Sequence, residues 1–144
     1  MRVRKMKTLA PIIKALAVAA LEDNERYLFL IRKDANAVER IELPAVVVPS
    51  GKSPVAEIKS EFTRQTSIDG QVEGIIAQST YNSGSRKRRA LVPVLIFKVT
   101  AKERFAKPSN EFSGFKWLSL EQAKKEKLTR NAEWLLRGWR SSSE

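Results

Sequence analysis

The sequence predicts an α+β domain, and three features predict it. Strand-length runs of β-branched and apolar residues alternate with segments of helical period. Turn-forming residues mark most of the joins between them. Hydrophobic content of 42% with 30% charged residues over 144 residues suits one globular unit, long enough to bury roughly two thirds of its unfolded surface.

Taken in order, "IIKALAVAALE" (12–22) and "RYLFLIRK" (26–33) are apolar runs separated by "DNE", the pattern of a β-hairpin. The basic and then apolar opening, "MRVRKMKTLAPIIKALAVAALEDN", has the outline of a secretion signal. It reads better as a strand, because Lys14 interrupts the apolar run, Val and Ile favour β structure, and no turn precedes Asp23-Asn24. "RIELPAVVV" (40–48) reads as a further strand and "PSGKS" (49–53) as a turn. Ser53 and Pro54 then supply an N-cap and a first-turn proline for a helix running through Thr66. Val55, Ile58 and Phe62 share one stripe of that helix and are expected to face the core. "QVEGIIAQSTY" (71–81) and "ALVPVLIFKVT" (90–100) read as strands joined by the polar, basic "NSGSRKRR". "GFKWLSL" (114–120) reads as a short strand entering "SLEQAKKEKL". A last helix starts from Thr129 as N-cap and turns Ala132, Leu135, Leu136 and Trp139 inward. The expected organisation is a basic arm over 1–9, one domain over 10–140, and a frayed tail over 141–144.

Composition narrows the chemistry. The chain has no cysteine, which removes disulfides, thiolate nucleophiles and cysteine-based metal sites. It has no histidine, which removes the commonest general base and transition-metal ligand. No stretch approaches the ~20 apolar residues of a membrane span, so a cytoplasmic protein with no membrane partner is expected. Twenty-seven Lys and Arg against 16 Asp and Glu give a net charge of +11, and the excess is clustered. Residues 1–14 hold Arg2, Arg4, Lys5, Lys7 and Lys14 with no acid, and residues 74–102 hold six basic side chains with none. Four of those six are consecutive, Arg86, Lys87, Arg88 and Arg89. A charge distribution of this kind attracts polyanions by its long-range potential.

The order of elements also carries a resemblance. A hairpin, a strand ending in Leu43-Pro44, a loop, one helix, two long strands and "GFKWL" before a terminal helix resemble the Nudix hydrolase family. Leu43, Pro44, Gly51, Ser53, Pro54, Glu61, Thr66 and Ile68 fall on that family's signature without a gap, and "FSGFKWLSLEQA" (112–123) matches its phrase before the last helix. The resemblance spans residues 10–140 and implies an α/β/α sandwich, a Nudix-like mixed β-sheet flanked by helices. It does not carry the family's chemistry with it. The signature's paired glycines fall on Ala45 and Val46, and its loop glutamate on Lys52. Its arginine falls on Ser60, its glutamate pair on Arg64 and Gln65, and its closing glycine on Ser67. The family's carboxylates hold Mg²⁺, a hard cation that takes oxygen ligands, and positions 61, 64 and 65 share one helical face. Here that face presents Glu61, Arg64 and Gln65, with Arg64 placed to pair with Glu61.

Two functions follow as expectations. The first is a catalytically inactive Nudix-fold protein, without catalytic residues, metal or cofactor, that binds RNA or another nucleic acid, alone or within a ribonucleoprotein particle. Its phosphate contacts would come from Arg86, Lys87, Arg88, Arg89, Lys52 and Arg64, gathered at one cleft edge if the family's layout carries over. The second is an active Mg²⁺-dependent hydrolase of a nucleoside diphosphate-linked substrate. Glu61 would then be its catalytic and metal-binding residue, helped by acids such as Glu103 or Glu111. "PSGKS" lacks the first glycine of a phosphate-binding P-loop and has no N–H at Pro54. Lys52 beside a helix N-terminus suits a modest anion site instead. Tyr81 and Asn82 could stack on or hydrogen-bond a base, while Trp117, Trp134 and Trp139 sit in apolar patterns and are expected in the core.

Overall fold

The computed structural model describes residues 13–129 together with Ala132, Glu133 and Leu136. The basic arm, Leu135, Trp134, Trp139 and the tail lie outside the described residues.

Strand β1 (Ile13–Asp23) is the hub of the fold. It pairs antiparallel with β4 (Ala45–Pro49) on one side and parallel with β6 (Leu91–Thr100) on the other. β5 (Gln71–Asn82) joins the far edge of β6 in antiparallel register. Both flanks of β1 are thus occupied, and β2 (Arg26–Lys33) pairs with it only at Glu22↔Tyr27 and Asp23↔Arg26. The predicted hairpin therefore exists at its tip alone. Asn24 and Glu25 turn it with φ of 53° and 64°, the two positive values that a tight two-residue hairpin turn requires. Beyond the turn, β2 leaves to form the centre of a second group, between β3 (Glu39–Glu42) and β7 (Gly114–Leu118).

The run read as one strand over 40–48 is two. Leu43-Pro44 separates β3, which pairs with β2, from β4, which pairs with β1. Pro44 has no N–H to give to a ladder, and its carbonyl instead accepts from Ala19 N at 2.8 Å.

Burial on β1 explains its composition. Leu16, Val18 and Ala20 enter one core cluster with Phe29, Ile41, Val94 and Ile96. Ala17, Ala19 and Leu21 enter a second with Ile58, Phe62, Phe97 and Val99. A strand buried on both faces reads as a continuous apolar run, without alternation. Helix α1 (Pro54–Thr66) covers the second face. Helix α2 (Leu120–Lys124) and the helical residue Leu136 cover the first. The result is an α/β/α sandwich around a mixed sheet.

The caps fall where the sequence places them. The Ser53 hydroxyl accepts from Ala56 N at 3.2 Å, and the structure adds a cap the sequence reading did not name, a reciprocal capping box of Ser119 and Gln122. Thr129 Oγ1 accepts from Ala132 N at 3.4 Å. Two burial expectations fail. Val55 is 45% exposed, because it lies in the first turn of α1, ahead of where Ile58 and Phe62 meet the sheet. Trp117 is half-buried instead of core, its indole N–H donating to Arg104 O at 3.1 Å. Among the described residues, no helix is long and apolar enough to cross a membrane.

Candidate functional site

Helix α1 aims Glu61, Arg64 and Gln65 at the start of β4 and at the loop that follows β6. The Arg64 guanidinium forks onto Glu61, with Nε to Oε1 and Nη2 to Oε2 both at 2.8 Å. The same Nη2 reaches Glu111 Oε1 at 2.9 Å, and Ser109 Oγ donates to that oxygen as well. Gln65 is buried and donates Nε2 to two acceptors, Glu61 Oε2 at 2.7 Å and Ala45 O at 3.0 Å. Its own Oε1 is buried without a hydrogen-bond partner. That orphaned oxygen follows from the geometry: the amide orientation that serves two acceptors turns the oxygen away from any donor.

These contacts set the electrostatics. The Arg64 hydrogen bond, opposed by burial and aided by the Gln65 amide, holds the Glu61 carboxyl below its ordinary range. The Ser109 hydroxyl, followed by Arg64, does the same for Glu111. Arg64 is held charged far above its ordinary value, first by Glu61 and then by Glu111. The donor set is a poor fit to Mg²⁺. Two carboxylates do converge, but a guanidinium bridges them, and the Gln65 nitrogen occupies the point where Ala45 O and Glu61 Oε2 meet. Among the described residues, no group of three or more acidic side chains is placed to hold a metal. Glu103, the other acid considered as a helper, is exposed, and its carbonyl accepts from Arg104.

The second candidate region is the connection between β5 and β6. Neutral groups build it. Asn82 Oδ1 accepts from Gly84 N and Ala90 N, Asn82 Nδ2 donates to Ser85 O, and Ser85 Oγ accepts from Arg88 N. Asn82 thus serves loop architecture, a role its pattern in the sequence did not reveal. Gly84 is required, since a Cβ there would lie 2.1 Å from Arg88 O. Arg86, Lys87, Arg88 and Arg89 are all exposed, and none forms an ion pair among the described residues.

Strand register places the other cations. Ile13 pairs with Pro49, Leu16 with Val94, and Asn82 with Leu91. The start of β1, the end of β4, the start of β6 and the end of β5 therefore share one end of the sheet. The "SGKS" turn and the basic loop leave from that end, with β4 and β5 three strand spacings apart, about 14 Å. Lys14 Nζ donates to Lys52 O at 3.1 Å, which draws both lysines to this end. Arg64 is elsewhere. It lies eleven residues beyond the helix cap, about 16 Å along the axis at 1.5 Å per residue, and is committed to two carboxylates.

Comparison with known proteins agrees on architecture. No family model matches the chain, and no curated protein matches it. Solved structures do. The MutT protein from Methanosarcina mazei Go1 superposes with a TM-score of 0.63 at 18% identity, over 90% of this chain and 91% of that one. The E. coli dihydroneopterin triphosphate pyrophosphohydrolase gives 0.63 at 15% identity, over 89% and 96%. The Nudix domain of Shewanella oneidensis NrtR, solved with ADP ribose, gives 0.60 at 12% identity, over 90% and 87%. The chain has the Nudix fold.

Proposed function

We propose that this Nudix-fold protein is a binding domain without hydrolase activity, and that it takes the phosphate backbone of RNA or another nucleic acid. The contact surface is the sheet end that carries Lys14, Lys52 and Arg86–Arg89. One observation carries the reading: four consecutive exposed cations stand on a loop built by neutral side chains and backbone, with no acid among the described residues paired to any of them. Cations left in that state neutralise phosphates at little desolvation cost and release condensed counterions. Arg64, already shared between Glu61 and Glu111, is not part of that surface.

The alternative, an Mg²⁺-dependent hydrolase of a nucleoside diphosphate-linked substrate, is favoured by the convergence of Glu61 and Glu111 on one point. It also draws on the pyrophosphohydrolase among the similar structures. It requires Arg64 to swing out and Gln65 to act as a ligand through its oxygen. A single preparation tests both readings. Nucleic acid that co-purifies at low salt and is shed at high salt, together with no phosphate release from nucleotide sugars, dinucleoside polyphosphates or nucleoside triphosphates with Mg²⁺ or Mn²⁺, supports the binding domain. Turnover of any of these substrates that Glu61→Gln abolishes would replace it with the hydrolase.

A further inference from the structure

β5 closes one edge of the sheet, and nothing among the described residues pairs with its outer side. At twelve residues it is the longest strand in the fold. Sheet edges are usually blunted by short length, proline or charge. β5 contains no proline, and its only charged residue is Glu73. Irregularities between Val72 and Ile75 and between Ile75 and Ala77 leave Ile75 and Ile76 exposed side by side, at 46% and 43%. Leu91, on the neighbouring β6, adds a further apolar side chain at 58% exposure.

Charge runs along this edge with a direction. Asp69 and Glu73 lie exposed at its beginning, and Arg86, Lys87, Arg88 and Arg89 lie exposed just past its end. We infer that β5 is a self-association edge that pairs antiparallel with the β5 of a second copy about a two-fold axis. A two-fold axis near the strand's middle brings each copy's Asp69–Glu73 end against the other's Arg86–Arg89 end, so both ends are complementary at once. Parallel pairing would set the basic loops against one another. With +11 on each copy, long-range repulsion opposes association, and the antiparallel arrangement is the one that offsets it locally. Ile75 and Ile76 lie near the axis, where main-chain pairing excludes water from them. Four cations meet two acids at each end, so the dimer keeps two basic poles, set apart by the length of the paired strands.

Sedimentation velocity over a concentration series, with scattering-derived mass, tests this on the full chain. A concentration-dependent dimer is expected from the native protein. The double variant Ile75→Lys/Ile76→Lys should be monomeric at every concentration while keeping its circular dichroism and binding single-stranded RNA at least as tightly as the native protein. Glu73→Lys should weaken the dimer at least severalfold, and adding Arg86→Glu with Arg88→Glu to the same chain should restore it. A native protein that stays monomeric throughout overturns the proposal. A dimer indifferent to Ile75→Lys/Ile76→Lys, or one that the charge exchange does not rescue, overturns it equally. Because RNA affinity is read separately, failure here is distinct from failure of the binding function.

Discussion

The Glu61 face of α1 and the loop at Arg86–Arg89 both concentrate charge, and they dispose of it in opposite ways. On that helix face the charges are paired: Arg64 holds Glu61 and Glu111, and Gln65 fills the remaining approach to Glu61. In the loop, uncharged Asn82, Gly84 and Ser85 fix the backbone and leave the cations to solvent. A closed network holds protein together, whereas unpaired charge on a fixed frame is available to a partner. The difference teaches that charge density alone is a poor guide to a binding surface; what matters is how much of it is already spent.

Stripping the loop of its charge is the strongest way to break this contrast. The variant Arg86→Ala/Lys87→Ala/Arg88→Ala/Arg89→Ala should bind nucleic acid far more weakly. Its slope of log K against log salt should fall by roughly 1.4 to 3.6 units if about two to four of the side chains touch phosphates. Titrations at several salt concentrations measure both quantities. Stability should hardly change, because these are surface positions.

Reopening the helix face is the converse. Arg64→Glu/Gln65→Glu should create saturable, submillimolar Mg²⁺ binding by calorimetry, lost again with Glu61→Gln, while the native protein shows no specific site. A native protein that already binds Mg²⁺ through Glu61 would erase the distinction between the two regions.

A smaller effect is expected from Gly84→Ala. It removes no charge, but its Cβ must displace the Arg88 carbonyl. Binding should weaken about two- to fivefold, or about 0.5–1 kcal/mol, with the salt slope retained. Full affinity in this variant would mean that the cations act as an unstructured cluster.

The smallest effect concerns acid. Glu61 has a lowered pKa in the folded state, so its contribution is complete above the ordinary value of 4.5 and disappears as pH falls through the lowered one. Arg64 is half exposed, which keeps the contribution under about 1 kcal/mol. Arg64→Ala should therefore lose less stability than the native protein between about pH 5 and about pH 3 in urea unfolding.

Local signals in the sequence located most of the fold. Ser53-Pro54 and Thr129 mark helix starts that the structure keeps. The Glu61–Arg64 pair was legible because three residues along a helix bring side chains together. Pairing across the chain was not. Nothing near Arg64 announces Glu111, 47 residues away, and nothing near Gln65 announces the Ala45 carbonyl. The division of 40–48 into β3 and β4 hid behind an unbroken β-branched run, although Pro44 was visible. Lys52 and the basic loop share a sheet end only because β1 and β6 run parallel, a relation that no local pattern encodes. Ser67 takes a φ of 62° where the family signature has glycine. It tolerates that backbone with its hydroxyl on Lys107 O at 2.8 Å.

The central place of β1 has a consequence for how the chain comes to be folded. Its parallel neighbour β6 is synthesised long after it, with β2 through β5 between them. Until β6 emerges, the run from Leu16 to Leu21 lacks that partner. Loop closure over such a separation precedes any reward from pairing, and topologies of this kind fold in milliseconds to seconds rather than microseconds. During translation, then, the stickiest segment of this fold precedes its parallel partner by some seventy residues, and one flank of it stays open until they have followed.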